Sequence, residues 1–188
     1  MKKFMILCLL FSLCACSATE TANQETDAPA ACDASSECTD DNETETAEFT
    51  EISMEDALDY FRQGKSGVLF FGFTSCPWCK QARPILKKVS AETGVPVYYI
   101  KVRDEDGNLT YSDEQREELS QYIGDYMSVN KDQDNKLWLY VPLVINVKDG
   151  KAVDGHEGTL KGHNAEKEKL TAKQKKKLKK IYKRVLTE

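Results

Sequence analysis

A chain of 188 residues, 40% of them hydrophobic, is long enough for one domain with a buried core plus tails. Its formal net charge of −5 conceals an asymmetry: no Lys or Arg occurs between Phe4 and Phe61, whereas residues 161–188 hold eleven basic and three acidic side chains. No aromatic residue except Tyr182 interleaves with that basic end, so it reads as the solvated face of a terminal helix and no nucleic-acid partner is expected.

Met1-Lys2-Lys3 followed by the apolar run Phe4 to Leu13 has the form of an export signal. About ten apolar residues is half of the roughly 20 that a spanning helix needs. The run ends in Leu13-Cys14-Ala15-Cys16, which resembles a bacterial lipobox. That resemblance implies removal of residues 1–15 as a lipoprotein signal peptide and a diacylglyceryl group on Cys16. Two acyl chains suffice for stable attachment, so the expected location is the extracytoplasmic face of the cell membrane. Plain secretion with cleavage nearby is the competing reading.

Residues 16–48 are rich in Thr, Ala, Glu, Asp and Ser and almost lack large apolar side chains. Such a segment cannot offset its ordering entropy and reads as a disordered acidic tether. Cys32 and Cys38 within it are either a local disulfide or incidental thiols of an exported chain. A sharper reading makes them a relay to Cys76 and Cys79, since the ten or so residues after Cys38 give a reach of about 17 Å. Unchanged turnover after replacing both with Ser excludes that relay.

The folded domain is expected over residues 49–188. Phe49 to Ile52 is a short strand, and Ser53 caps a helix whose apolar stripe is Met54, Ala57, Leu58 and Phe61, stopped at Gly64. Val68 to Phe73 reads as a buried strand running into Cys76-Pro77-Trp78-Cys79, and a helix carrying Ile85, Leu86 and Val89 follows to Ala91. Pro84 removes one hydrogen bond within it. After the Gly94-Val95-Pro96 turn, Val97 to Val102 is a third strand. Ser112 and Gln115 form a capping box for an amphipathic helix over residues 113–127. Leu137 to Val147 resumes strand character, Lys148-Asp149-Gly150-Lys151 is a hairpin turn, and Ala152 to His156 is the partner strand. Thr171 with Gln174 caps a last helix over residues 172–186, with Leu178, Ile181, Tyr182 and Val185 inward.

Seven cysteines are present, but their scatter into three groups excludes the disulfide framework of a small secreted fold. Strand, CxxC, helix is the arrangement that makes two thiols redox-active. Cys76 sits at a helix N-terminus, where unpaired N–H groups and the dipole favour thiolate, and Lys80 adds a positive charge; it is the candidate nucleophile and is expected to be exposed. Cys79, one turn along, is the candidate resolving thiol. Zinc needs four ligands as a rule, and there is neither a second CxxC nor a spaced His pair, so no metal is expected. Haem attachment needs His after the second Cys, where Lys80 stands. His156 reads as a hairpin or surface residue.

These features together resemble the thioredoxin superfamily over residues 49–188. Beyond the CxxC, the marks are Pro84 five residues after Cys79, Val141-Pro142 eight residues before Gly150, and the order of strands and helices. Phe-Gly-Phe before the motif, the helix at 113–127 and His156-Glu157-Gly158-Thr159 are similar to thioredoxin-like proteins of Gram-positive bacteria, some labelled bacteriocin-transport accessory proteins. The resemblance implies an α/β fold: a central mixed β-sheet flanked by helices, with an extra helix inserted before the cis-proline strand. It implies cis Pro142, with the Val141 backbone offered to an extended substrate chain, and no cofactor beyond the Cys76–Cys79 disulfide. Trp78 is either part of the substrate-facing surface or a packing residue. Two departures stand out. Phe70 replaces the buried Asp of thioredoxin, and Ser75 replaces the Trp before the first Cys, which leaves the proton of Cys79 without an identified acceptor.

The function expected is an extracytoplasmic thiol–disulfide oxidoreductase acting on exported proteins, coupled to a membrane redox partner. The other class carried is a non-catalytic accessory module that uses the fold to bind a secreted peptide or a transporter.

Overall fold

The computed structural model describes residues 47–188. The signal segment, Cys16, Cys32 and Cys38, and all of the tether before residue 47 lie outside the described residues. In chain order the elements are β1 (Thr50–Ile52), α1 (Met54–Arg62), β2 (Gly67–Gly72), α2 (Pro77–Thr93), β3 (Val97–Lys101) and α3 (Asp113–Ile123), which tightens into a 3₁₀ turn (Gly124–Tyr126). Then follow β4 (Ser128–Asn130), β5 (Lys136–Trp138), β6 (Leu143–Lys148), β7 (Lys151–Glu157) and α4 (Ala172–Thr187).

Five strands form one sheet in the order β1-β3-β2-β6-β7, in which β1, β3 and β2 run parallel while β6 and β7 are antiparallel to their neighbours. β4 and β5 form a separate two-stranded hairpin. The period-2 alternation of β2 divides the core between the two faces. Leu69 and Phe71 join Leu58, Phe61, Leu119 and Ile123 on the side of α1 and α3. Val68 and Phe70 join Ala82, Leu86, Leu178 and Tyr182 on the side of α2 and α4. Central mixed sheet, helices on both faces and this connectivity make the fold α/β and thioredoxin-like.

The local signals hold. Ser53 with Asp56, Ser112 with Gln115 and Thr171 with Gln174 each form a reciprocal capping box. α2 runs through Pro84 without ending, and Gly94 closes it in the left-handed region at φ 68°.

Two expectations need correction. The segment 137–147 is not one strand: β5 pairs with β4, and the chain then leaves the ladder until Leu143 takes its place opposite Phe71. Pro142 lies in the gap, and without an N–H it cannot donate to a ladder. The helix begun at Asp113 ends at Ile123 rather than Met127, because Gly124 is a poor helix residue and the Met127 N–H turns back to the Gly124 carbonyl at 3.1 Å. Among the described residues no helix is long and apolar enough to cross a membrane.

Candidate active site

β2 ends at Gly72, and a short turn delivers Cys76 as the N-cap of α2 with extended backbone (φ −61°, ψ 120°). Pro77 follows at the first helical position, where its missing N–H costs nothing. The Cys79 N–H, one of the otherwise unpaired donors of the first turn, points at Cys76 Sγ from 3.2 Å. Both cysteines are free thiols. Sequence reading expects Cys76 to be exposed, and here the structure differs: 3% of its surface is accessible. The cause is tertiary. The loop with the cis Val141–Pro142 peptide lies against it, with the Val141 carbonyl 3.9 Å from Sγ.

The two thiols have opposite acidities. Cys76 is brought down to about 7, first by hydrogen bonding to the Cys79 thiol, then, against the cost of burial, by the Cys79 and Trp78 N–H groups and the charge of Lys80. Cys79 is pushed well up, first by that shared hydrogen bond, then by burial and by the negative charge of its neighbour. One proton is thus kept between them on Cys79, and the pair holds a single thiolate at Cys76 near neutral pH.

Cys79 is also 3% exposed and packs over β2, with Sγ 3.2 Å from where a Cβ on Gly72 would stand. Trp78 is half-buried, and its Nε1–H donates to the His163 carbonyl at 3.4 Å. It therefore ties the N-terminus of α2 to the loop before α4, a packing role beside its place next to Cys76. Pro142 is buried and its carbonyl accepts from the Gly158 N–H at 2.7 Å, which fixes the loop over the thiols. Phe70, fully buried, packs edge-on to Phe49 (5.6 Å) and against Tyr99 (5.4 Å).

Several neighbours were not singled out by sequence reading. Arg83, four residues after Cys79, lies over the Tyr99 ring at 4.1 Å; the i,i+4 spacing from Cys79 was the available signal. His163 is buried, with Nδ1 2.8 Å from Thr159 Oγ1, and His156 Nε2 donates to the Thr159 carbonyl at 2.7 Å. Burial pushes the His156 imidazole below its usual pKa, and its ring stands edge-on to Tyr182 at 6.0 Å. Among the described residues no group of three or more His, Cys, Asp or Glu gathers as a metal site.

No protein-family model matches this chain, and no match is found among curated proteins. Solved structures similar to it include Fasciola hepatica thioredoxin, 18% identical, covering 73% of this chain and 99% of the other with a TM-score of 0.42. Malassezia sympodialis thioredoxin is 18% identical over 72% of this chain and 91% of its own, with a TM-score of 0.39. Chlamydomonas reinhardtii thioredoxin f2 is 17% identical over 59% and 84%, with a TM-score of 0.38.

Proposed function

We propose that this chain is a thiol–disulfide oxidoreductase that works outside the cytoplasm, exchanging disulfides with exported proteins through Cys76 and Cys79. The observation that carries the reading is the geometry of the pair: Cys76 caps α2 with the cis Val141–Pro142 loop against it and the Cys79 N–H 3.2 Å from its Sγ, an arrangement that lowers the pKa of Cys76 and raises that of Cys79. That is what a nucleophile and a resolving thiol require.

In the reducing direction the Cys76 thiolate attacks a substrate disulfide. A Cys76–substrate bond forms, and the other substrate sulfur leaves as thiolate. Cys79 then loses its proton and attacks Cys76 Sγ; the Cys76–Cys79 bond forms, the second substrate sulfur leaves, and two electrons have passed to the substrate. Oxidation of a substrate dithiol is the same sequence reversed. Trp78 and the Val141–Pro142 loop border Cys76 and would receive the extended substrate chain, while a diacylglyceryl group on Cys16 would hold the domain at the outer face of the membrane. A membrane redox partner would restore the pair after each turnover. The lipobox and the Phe-Gly-Phe approach to the motif favour the membrane-anchored, bacteriocin-transport accessory type of Gram-positive bacteria.

The test is the reduction potential of the Cys76–Cys79 pair in the full chain, read by alkylation and mass spectrometry of the peptide that carries both cysteines. A value near about −270 mV makes the protein a reductant recharged from the membrane, and one near about −120 mV makes it a disulfide donor. A pair that does not cycle, or a Cys76→Ser variant with full biological activity, overturns the reading in favour of a non-catalytic binding module.

A further inference from the structure

Resolution requires Cys79 to give up a proton that burial and Cys76 hold in place. β2 presents Val68, Phe70 and Gly72 to this face of the sheet, and none can take it. What stands beside Cys79 instead is a cation. Arg83 lies one turn further along the same face of α2. Its guanidinium rests on two rings, 4.1 Å from the centre of Tyr99 and 5.9 Å from that of Phe70, which are register partners on β3 and β2. Cys79 Sγ sits over Gly72, the next position on the same face after Phe70. Thiol and guanidinium therefore cover neighbouring positions on one patch of sheet, Cys79 over Gly72 of β2 and Arg83 over Tyr99 of β3 and Phe70 of β2.

Beyond Arg83 the patch opens. A polar cavity of about 330 Å³ is lined by Arg83 and Tyr99 together with Thr74 from the turn before the motif. Its remaining charges are Glu48, Glu51, Lys87, Lys101 and Glu105. Tyr99 is 5% exposed, and its buried hydroxyl has no partner among the described residues.

We propose that Arg83, seated on Tyr99 and Phe70, supports the Cys79 thiolate during resolution, and that the polar cavity beside it is where the proton departs. The inference rests on the oxidoreductase reading above. Arg83 cannot act as a base, because its guanidinium is never deprotonated at working pH. It lowers the cost of the negative charge left behind. In the mixed disulfide, the Cys79 thiol, which does not itself line the cavity, passes its proton to solvent that reaches it from the Arg83 side, and the thiolate attacks Cys76 Sγ. The Cys76–Cys79 bond forms, the Cys76–substrate bond breaks, and the departing substrate thiolate takes a proton back from solvent. The groups that set the acidity of Cys79 are Cys76, which with burial raises its pKa, and the Phe73 backbone and Arg83, which lower it; Cys79 in turn raises Tyr99 on β3 and Tyr182 on α4, with His156 of β7 behind Tyr182.

The experiment uses the full chain with Cys8, Cys14, Cys16, Cys32 and Cys38 replaced by Ser, reacted with 5,5′-dithiobis(2-nitrobenzoate). The first release of aromatic thiol reads attack by Cys76, and the second reads resolution by Cys79. Arg83→Met is expected to slow the second release about tenfold at neutral pH and to move its pH midpoint up by about one unit, with the first release changed by less than about twofold. Arg83→Lys should recover most of the rate, falling short because an ammonium lacks the planar stack. An unchanged second-release profile in Arg83→Met, equal slowing of both releases, or Arg83→Lys as slow as Arg83→Met overturns the inference. A parent chain with no second release overturns the oxidoreductase reading itself.

Discussion

The buried Cys79 thiol fits against β2 because position 72 carries no side chain. A Cβ there would stand 3.2 Å from Cys79 Sγ and 3.2 Å from the Phe70 ring, tighter than ordinary van der Waals contact on both sides. Phe70 cannot give way freely, since it is fully buried between Phe49, Tyr99 and the guanidinium of Arg83. Gly72→Ala should therefore destabilise the domain by about 1–3 kcal/mol, the usual cost of overpacking a filled core. It should also slow closure of the Cys76–Cys79 disulfide, because the thiol is the more displaceable of the two neighbours. Urea unfolding and the rate of disulfide closure measure the two effects; if neither moves, the contact has slack and the glycine is not what admits the thiol.

At the scale of elements, helix starts and the β4–β5 and β6–β7 hairpins are settled locally, whereas β1, β2, β3 and β6 find their partners at a distance. α3 shows both. Its capping box is written within four residues, but its buried Arg116 works on another element. Arg116 is 3% exposed, donates to the Leu137 carbonyl of β5 at 2.8 Å, pairs with Asp113 at 3.2 Å and lies 5.1 Å from the Trp138 ring. This side chain pins the β4–β5 hairpin, which has no ladder to the main sheet. Arg116→Ala leaves the Leu137 carbonyl without that donor, a loss of about 1–3 kcal/mol for a buried charged hydrogen bond. Amide exchange should quicken across residues 128–138 while the reaction of Cys76 is unaffected. Hairpin exchange equal to that of the parent chain would mean that another contact holds it.

For the whole molecule the thiol pair couples stability to pH and to redox state. In the reduced domain Cys76 falls from 9.0 to about 7, so the unfolded chain binds more protons between those values. The reduced form therefore gains stability as pH rises from about 7 to about 9 and loses that contribution as pH falls through 7. The gain is under about 3 kcal/mol, two units of pKa. Cys79, pushed up, acts in the opposite sense: above about 9 the native state keeps a proton that the unfolded chain has lost, and stability declines again. The disulfide form has neither thiol and should show neither slope. Urea unfolding of both forms across this range gives the difference directly, and a difference flat in pH would remove the Cys76 thiolate from the account of the site.

Much of this architecture is legible in the sequence because the interactions that set it are local. The three capping boxes span four residues each, the stripe Met54, Ala57, Leu58 and Phe61 follows the helical period, and the CxxC places two sulfurs on one helical turn. What the sequence leaves open depends on residues far apart along the chain. Cys76 is a plausible exposed N-cap until Val141, 65 positions away, is brought against it. The run Leu137 to Val147 looks like one strand until β4 claims its first part and Phe71 pairs with Leu143. The apolar look of Phe70 hides that Arg83 from the helix above rests its charge there and on Tyr99. Short-range hydrogen bonds and periodicity determine the elements and the placing of Cys76 and Cys79 on one helical turn. Burial, and with it the acidity of each thiol, is decided only when the sheet and helices close over them, because a charge's free energy depends on everything that excludes water from around it.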